Sequence, residues 1–494
     1  MRRSVRAPGR SAGALAGGIV GYLVFVEFTS GVLQGYYTPL LTDIARHLSI
    51  DDADVNWLEA AQLLLSAIVV PVLAKLGDLH GHRRMLLVST AITAVASVVL
   101  AFAPGFTVFV IAWALQGCYV VWLPLQVALV YDRSRGRPDA AALTRRATGL
   151  IVAALQVGGI VGALTGGFTG TLLADRLWLV LLIPALLVVA VFFVVLTKVE
   201  ESGERQKGSI DPGGVVLLTT SMLVITGGLT FVRLNGASTP WPWLVVLLGF
   251  VLVVPFVRHE LGHPDPLVDV RVLRRPAMWP VLLTAGLFGV SVLGAQGPLS
   301  TFARTDPDVY GYGLGLSAAT VSLLIGAYVI SLLVGALSFA PLSRRTTPRT
   351  TLIAAAAATG VGYLLLVPLH DSLAQVLACM TVAGLGSGAL VAALPAAAAA
   401  AAPVGRTAVA TGLTNTTKVM GGTFASAVFA LVLANGAPTL AGGVEGTAGS
   451  LSGYVSVWVI CGVTALVAAA ALVCVPRLAF SDPVTALPGV EPVR

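Results

Sequence analysis

The chain has 494 residues, of which 56% are hydrophobic and 11% charged, and a formal net charge of +7. Soluble proteins run near 25% charged, and a soluble chain of this length would not hide so much apolar surface in one or two cores. The basic excess sits in short loops between apolar stretches rather than in one patch, so it points to a lipid bilayer and away from nucleic acid.

Met1 to Arg10 carries four arginines ahead of an apolar run from about Ala14 to Leu41. The run is too long for the core of a signal peptide, contains Glu27 and lacks a convincing cleavage site, so a retained first helix is expected. Further spans of about 20 residues, the length that crosses a hydrocarbon core of roughly 30 Å, follow along the chain. They are expected at 14–41, 55–75, 85–103, 106–131, 147–173, 177–197, 212–232, 242–257, 277–302, 316–342, 350–369, 373–400, 407–434 and 452–475. The eighth is short, and Trp241 and Trp243 beside it suit an interfacial anchor. Cys118, Cys379, Cys461 and Cys474 all fall inside these stretches with no metal-ligand spacing, and read as small buried hydrophobes.

The loops between spans carry the topology signal. With fourteen spans, twenty-five of the thirty lysines and arginines fall on the side of the N-terminus. Four (Arg46, Arg176, Arg233, Arg304) fall opposite, and Lys418 lies within a span. The asymmetry puts both termini in the cytoplasm.

The chain also repeats itself. Ala147-Thr148-Gly149-Leu150 precedes Gly158-Gly159, and Ala410-Thr411-Gly412-Leu413 precedes Gly421-Gly422, each matched position 263 residues apart. Duplicated halves built around a pseudo-two-fold axis produce such a trace, although alanine- and glycine-rich helices can also resemble one another by chance. The expected domains are a six-helix half over 1–200, two inserted helices with cytoplasmic linkers over 201–275, and a second six-helix half with its tail over 276–494.

Three motifs carry more. The loop after the second span reads Lys75-Leu-Gly77-Asp78-Leu-His-Gly81-His-Arg83-Arg84. Its glycines allow a tight turn, and Asp78 should pair with an arginine or a helix N-terminus. An ordinary positive-inside loop is the plainer reading. The fifth span holds Gly149, Gly158, Gly162, Ala163, Gly166 and Gly167, a spacing that lets helices pack with backbones nearly touching. The fourth contains Trp113-Ala-Leu-Gln116-Gly117.

In spacing the first motif resembles the signature of the major facilitator superfamily, Gly-x-Leu-Ala-Asp-x-x-Gly-Arg-Lys/Arg. Gly77, Asp78, Gly81, Arg83 and Arg84 match in kind, with His82 as an extra residue or a shifted base. The glycine ladder looks like the antiporter signature of that family's drug exporters, with Ala163 where they carry proline. The fourth-span motif is similar to Arg-x-x-Gln-Gly, with Trp113 where relatives carry the arginine that serves proton coupling. With Glu260, Pro266 to Arg275 and the inserted pair, the resemblance extends over nearly the whole chain to the fourteen-helix drug:proton antiporter branch. It implies an all-α polytopic membrane protein of major facilitator fold and a conformational latch at Gly77, Asp78, Gly81, Arg83 and Arg84. It also implies export of drugs, antibiotics or related metabolites by alternating access against proton entry. The two departures leave a dedicated metabolite or lipid transporter with other coupling as the alternative.

Ionisable groups inside a membrane are costly without a role or partner. Glu27 sits mid-way along the first span, about a turn before the aspartate of relatives, which falls near Ser30. Burial favours its neutral form, so it can load and release protons near neutral pH, unless it is a structural carboxylate bonded to a neighbour. Glu59 is a second candidate for proton or cation coupling, or is simply solvated at the outer end of its span. Lys418 can pair across a cavity, attract an anionic substrate, or snorkel to the interface. Gln34, Gln62, Gln126, Gln156, Gln296 and Asn415 offer hydrogen bonds to a substrate or glue helices together. Tyr37, with Tyr36, Tyr119 and Trp122, can stack on an aromatic substrate or fill the core.

No phosphate-binding loop is present, so direct ATP drive is not expected. His47, His80, His82, His259, His263 and His370 form no metal motif and fall in loops. No cofactor or metal is expected, and no cluster supports a membrane-embedded enzyme. The protein is expected to act as a monomer on a small molecule and protons. Arginine far outnumbers lysine and alanine tracts such as Ala396 to Ala402 abound, which fits a GC-rich bacterial genome and a cell inner membrane.

Overall fold

The computed structural model describes residues 11–134, 140–201, 209–273, 275–401, 407–436 and 446–474. Among these the long elements are all α-helical, because a chain in hydrocarbon must satisfy its backbone polar groups within each segment. In chain order they are α1 Ser11–Tyr36, α2 Val55–His80, α3 His82–Ala101, α4 Phe106–Ser134, α5 Ala140–Leu172, α6 Leu177–Lys198 and α7 Pro212–Asn235. Then follow α8 Pro240–Gly262, α9 Trp279–Arg304, α10 Ala318–Arg345, α11 Pro348–Leu365, α12 Leu373–Ala401, α13 Thr407–Ala434 and α14 Leu451–Val473. Twelve of them, all but α1 and α11, are long and apolar enough to cross a membrane among the described residues. α11 is only 18 residues long and opens on Pro348, Arg349 and two threonines, which dilutes its hydropathy.

Most bounds fall within a few residues of expectation. The eighth helix is not short: α8 runs 23 residues, and Trp241 and Trp243 stand exposed at its start. Two helices are interrupted. α4 tightens into a 3₁₀ stretch over Gly117–Val121, and α9 widens into a π stretch over Val290–Gly294. Such irregularities break the regular ladder and often mark functional positions. Cys118, Cys379 and Cys461 are buried as expected, but Cys474 lies just past α14 and is exposed.

The chain divides into two compact units. One comprises Met1–Ser49, Ile68–Ile210 and Leu316–Gly326, and the other Ile50–Ala67, Asp211–Gly315 and Ala327–Arg494. α2 and α10 therefore each contribute to both.

In the first unit α1 lies along α5, and α3 packs against α4 and α6. The α1–α5 seam has no room for side chains. A β-carbon on Gly158 would strike the Phe28 carbonyl, one on Gly162 that of Val32, and one on Gly166 that of Tyr36. Tyr36 closes the seam by donating to the Val180 carbonyl of α6 and bonding to Thr169 of α5, both at 2.8 Å.

In the second unit α9 lies along α13, and α11 packs against α12 and α14. Here a β-carbon on Gly421 would strike the Gly286 carbonyl of α9, and one on Gly289 the Lys418 carbonyl. Gly158 and Gly421, 263 residues apart, thus make the same backbone-to-backbone contact, each within its own unit.

The pair α7 and α8 is zipped at Gly228 against Val246 and at Gly249 against Ile225. It meets α2 and α13 through a cluster of Ala60, Ile225, Leu229, Val246 and Ala427. Asp211 caps α7, accepting from the Gly214 amide at 3.0 Å and touching His259 of α8 at 2.8 Å. Burial works against its charge, but the Gly214 amide and His259 together hold its carboxyl below the usual carboxylate range. A depressed carboxyl stabilises the fold above its ordinary titration range and ceases to as pH falls through its folded value. Asp211→Ala should therefore cost about 1 kcal/mol near neutral pH. Its unfolding in detergent should converge on that of the parent in strong acid.

Candidate functional site

The expected site residues meet buried polar groups in three clusters, each inside one unit. The first surrounds Glu27. α1 is apolar on most faces, and Glu27 is 1% exposed within it. Gln126 of α4, fully buried, donates its Nε2 to Glu27 Oε2 at 2.8 Å. The amide therefore serves the carboxylate, and its own Oε1 is left without a donor among the described residues. Lower dielectric strengthens this bond, and makes any lone charge there costly.

Nearby in α4, Trp113 stands where the resembled motif has an arginine. It is buried between Phe109, ring centroids 5.8 Å apart, and Tyr37, 5.1 Å. Gln116 donates to the Tyr37 hydroxyl and to Ser97 Oγ, both at 2.9 Å. Tyr37 is thus a buried wall residue with its hydroxyl engaged. Gln34 is exposed, and Gln156 is half-buried on α5 with its Nε2 unpartnered among the described residues.

The second cluster lies at the turn between α2 and α3. Asp78, expected to meet an arginine or a helix N-terminus, meets a histidine instead. His82, 5% exposed, places Nε2 3.1 Å from Asp78 and Nδ1 3.1 Å from Asp132 of α4. His80, His82 and His259, expected in loops, belong to helix ends. Arg83 turns away and donates to the Leu196 carbonyl of α6 at 2.7 Å. The backbone amides of Arg83 and Arg84 donate to Glu201, at 3.0 and 3.1 Å. A carboxylate at a helix N-terminus satisfies amides that the helix cannot and opposes its dipole. Gly81 has φ +112°, and a β-carbon there would press on that carboxylate, so glycine is required twice over. Gly77 leaves space for the His82 ring. Arg133 binds the Glu200 carbonyl. Sequence reasoning did not select Glu201 or Asp132; acids at the ends of apolar spans were the available signal.

The third cluster belongs to the second unit. Glu59, half-buried on α2, has an Oε2 shielded from solvent and without a donor among the described residues, so it is not simply solvated. Asn56 is one turn earlier, and Gly297 of α9 lies against both. Gln296 turns back to the Val292 carbonyl at 2.8 Å, across the π stretch. Gln62, Asn415 and Lys418 are half-buried. A groove of about 650 Å³ between α9, α13 and α14 is apolar apart from Thr417, lined by Leu283, Gly286, Leu287, Phe424 and Phe429 among others.

In the glycine ladder, Gly167 faces Ser322 and Ala318 of α10 within the first unit, Ala163 is fully buried, and Gly149 is exposed with nothing within 4 Å of a β-carbon. α5 runs unbroken through Ala163.

Comparison with known proteins follows the same lines. A family model described as Major Facilitator Superfamily matches residues 23–426, with a further match over 305–492. The multidrug efflux pump LfrA of Mycolicibacterium smegmatis is 26% identical over 390 residues, 78% of this chain and 73% of that protein. The cephamycin export protein CmcT of Amycolatopsis lactamdurans is 27% identical over 409 residues, 81% of each. Other curated relatives are longer, and the chain spans 52–54% of their length. An auto inhibited POT family peptide transporter of known structure is similar with a TM-score of 0.63 at 14% identity, over 97% of this chain and 98% of that one.

Proposed function

The chain belongs to the Major Facilitator Superfamily, and from that premise we propose that it exports amphipathic or cationic small molecules, drugs or antibiotics among them, in exchange for protons. The relatives named for multidrug efflux and cephamycin export support the direction of transport. The observation that carries the coupling is Glu27: a carboxyl group 1% exposed, deep in an apolar helix, with the Gln126 amide donating to it.

In this reading α1 and α11 join the twelve apolar helices to make fourteen spans. Residues 1–200 and 276–494 form two six-helix halves, and 201–275 an insertion. Both termini are cytoplasmic in a bacterial inner membrane, as the basic loops favour. The monomer works by alternating access: the substrate path opens to one side, then the other, with the α2–α3 turn as latch. Glu27 and Glu59 carry protons. Gln34, Gln62, Gln156, Gln296, Asn415 and Lys418 offer polar contacts to the cargo, which leaves chemically unchanged.

Inverted vesicles test the reading. With an imposed pH gradient, substrate uptake into them should be strong for the parent and at least tenfold weaker for Glu27→Gln, while substrate exchange without a gradient persists. Gradient dependence unchanged in Glu27→Gln removes Glu27 from coupling. Trp113, packed where the resembled motif has an arginine, favours a second reading, a dedicated metabolite or lipid exporter without proton coupling. In that case the gradient would leave the parent's flux unaltered.

A further inference from the structure

Asn56 is fully buried on α2, and its Nδ2 donates to the Ala53 carbonyl at 2.9 Å. That bond fixes the side-chain amide, because flipping it would set Oδ1 against a carbonyl oxygen. Oδ1 must therefore point elsewhere, and it has no donor among the described residues. Glu59 Oε2, three residues on and on the same helix face, is also shielded and donorless. Both oxygens converge on a side-chain-free spot of α9: a β-carbon on Gly297 would lie 3.1 Å from each.

Two shielded acceptors facing one small gap repel each other unless a hydrogen lies between them. An anion would be repelled by the carboxylate, and an apolar group would leave both oxygens unsatisfied. Hard divalent cations take six or more oxygens, and two side chains do not supply them. A hydrogen on Glu59 answers the need with no added atoms but its own. No ion pair engages Glu59 among the described residues: Asp54 and Asp51, just before its helix, lie 3.3 and 3.6 Å from Arg233 of α7. α9 bears Arg304 two turns beyond Gly297, and α13 bears Lys418; neither is paired with Glu59.

We propose that Asn56, Glu59 and Gly297 form a proton-binding site, in which Glu59 takes a proton from water and its O–H donates to Asn56 Oδ1. Asn56 is a positioning residue, and Gly297 keeps the gap open. The step forms one O–H bond on the carboxylate and changes no other covalent bond. The inference rests on the proton-coupled reading, in which Glu59 already carries a proton, and adds the acceptor and the gap that hold that proton in place.

Infrared difference spectra of the reconstituted full chain across a pH jump test it without substrate. The protonated-carboxyl absorption of the parent and of Glu27→Gln should contain a component that is lost in Glu59→Gln. Asn56→Leu should retain the band at higher wavenumber, because the acid has lost its acceptor. Gly297→Ala, a milder change should Asn56→Leu fail to fold, should displace the same band. A spectrum unaltered by Glu59→Gln, or a band indifferent to both Asn56→Leu and Gly297→Ala, overturns the proposal. Absence of gradient-driven flux in the parent would sink the proton-coupled reading while leaving the band in place, so the two failures are distinguishable.

Discussion

Gly158→Val should abolish recovery of folded protein from membranes, or lower its melting temperature by many degrees, while Gly149→Ala should leave it unchanged or slightly raised. Both glycines lie on α5 and differ in what surrounds them. At 158 the first added carbon already strikes the Phe28 carbonyl, which is backbone and cannot rotate aside. α1 and α5 must then separate along a seam that includes Gly162 and Gly166. Overpacking costs typically about 1–3 kcal/mol per site, and rigid neighbours put this site at the upper end. At 149 nothing lies within 4 Å, so alanine only improves helix propensity, by roughly 0.5–1 kcal/mol. Gly421→Val should behave like Gly158→Val, since it meets the Gly286 carbonyl in the corresponding way. Equal thermal stability of Gly158→Val and Gly149→Ala in detergent would refute the seam as described.

His82→Ala should destabilise the α2–α3 turn, and the loss should depend on pH. A neutral imidazole has one N–H, yet both ring nitrogens of His82 stand 3.1 Å from carboxylate oxygens. Only the protonated ring engages both acids, Asp78 by a hydrogen bond and Asp132 as a charge pair. Removing it leaves two acids without their shared partner, a cost of about 1–3 kcal/mol. The value sits below that of a fully buried ion pair because the Asp78 side chain is 38% exposed. Stability from a protonated ring is present in acid and disappears as pH rises and the ring loses its second proton. The parent should therefore surpass His82→Ala most at low pH. His82→Arg, permanently charged, should flatten the pH profile of stability. Identical pH profiles for the parent and His82→Arg would show that the ring is not bridging as a cation.

The helices were legible because hydrocarbon imposes its thickness on every span: α13 ends where the sequence places it, at both termini. The glycine ladder was legible too, since small residues four apart have one efficient use in a membrane. The pairings were not. Glu201 reaches the amides of Arg83 and Arg84 across more than a hundred residues, and nothing local in the sequence distinguishes it from Glu200. His82 was read as a loop base because histidine beside arginines at a span edge usually is one. Glu27 was found by its depth alone, but its partner among six candidate amides was not singled out.

The glycine seam brings the α1 and α5 backbones together at Gly158, Gly162 and Gly166, so that pair should bend as a single stiff plate. Flexure must then concentrate at the hinges built into the helices themselves. The tightened stretch of α4 follows directly on Gln116, and the widened stretch of α9 ends two residues before Gln296. Mechanical compliance and buried polarity thus share the same few helical turns.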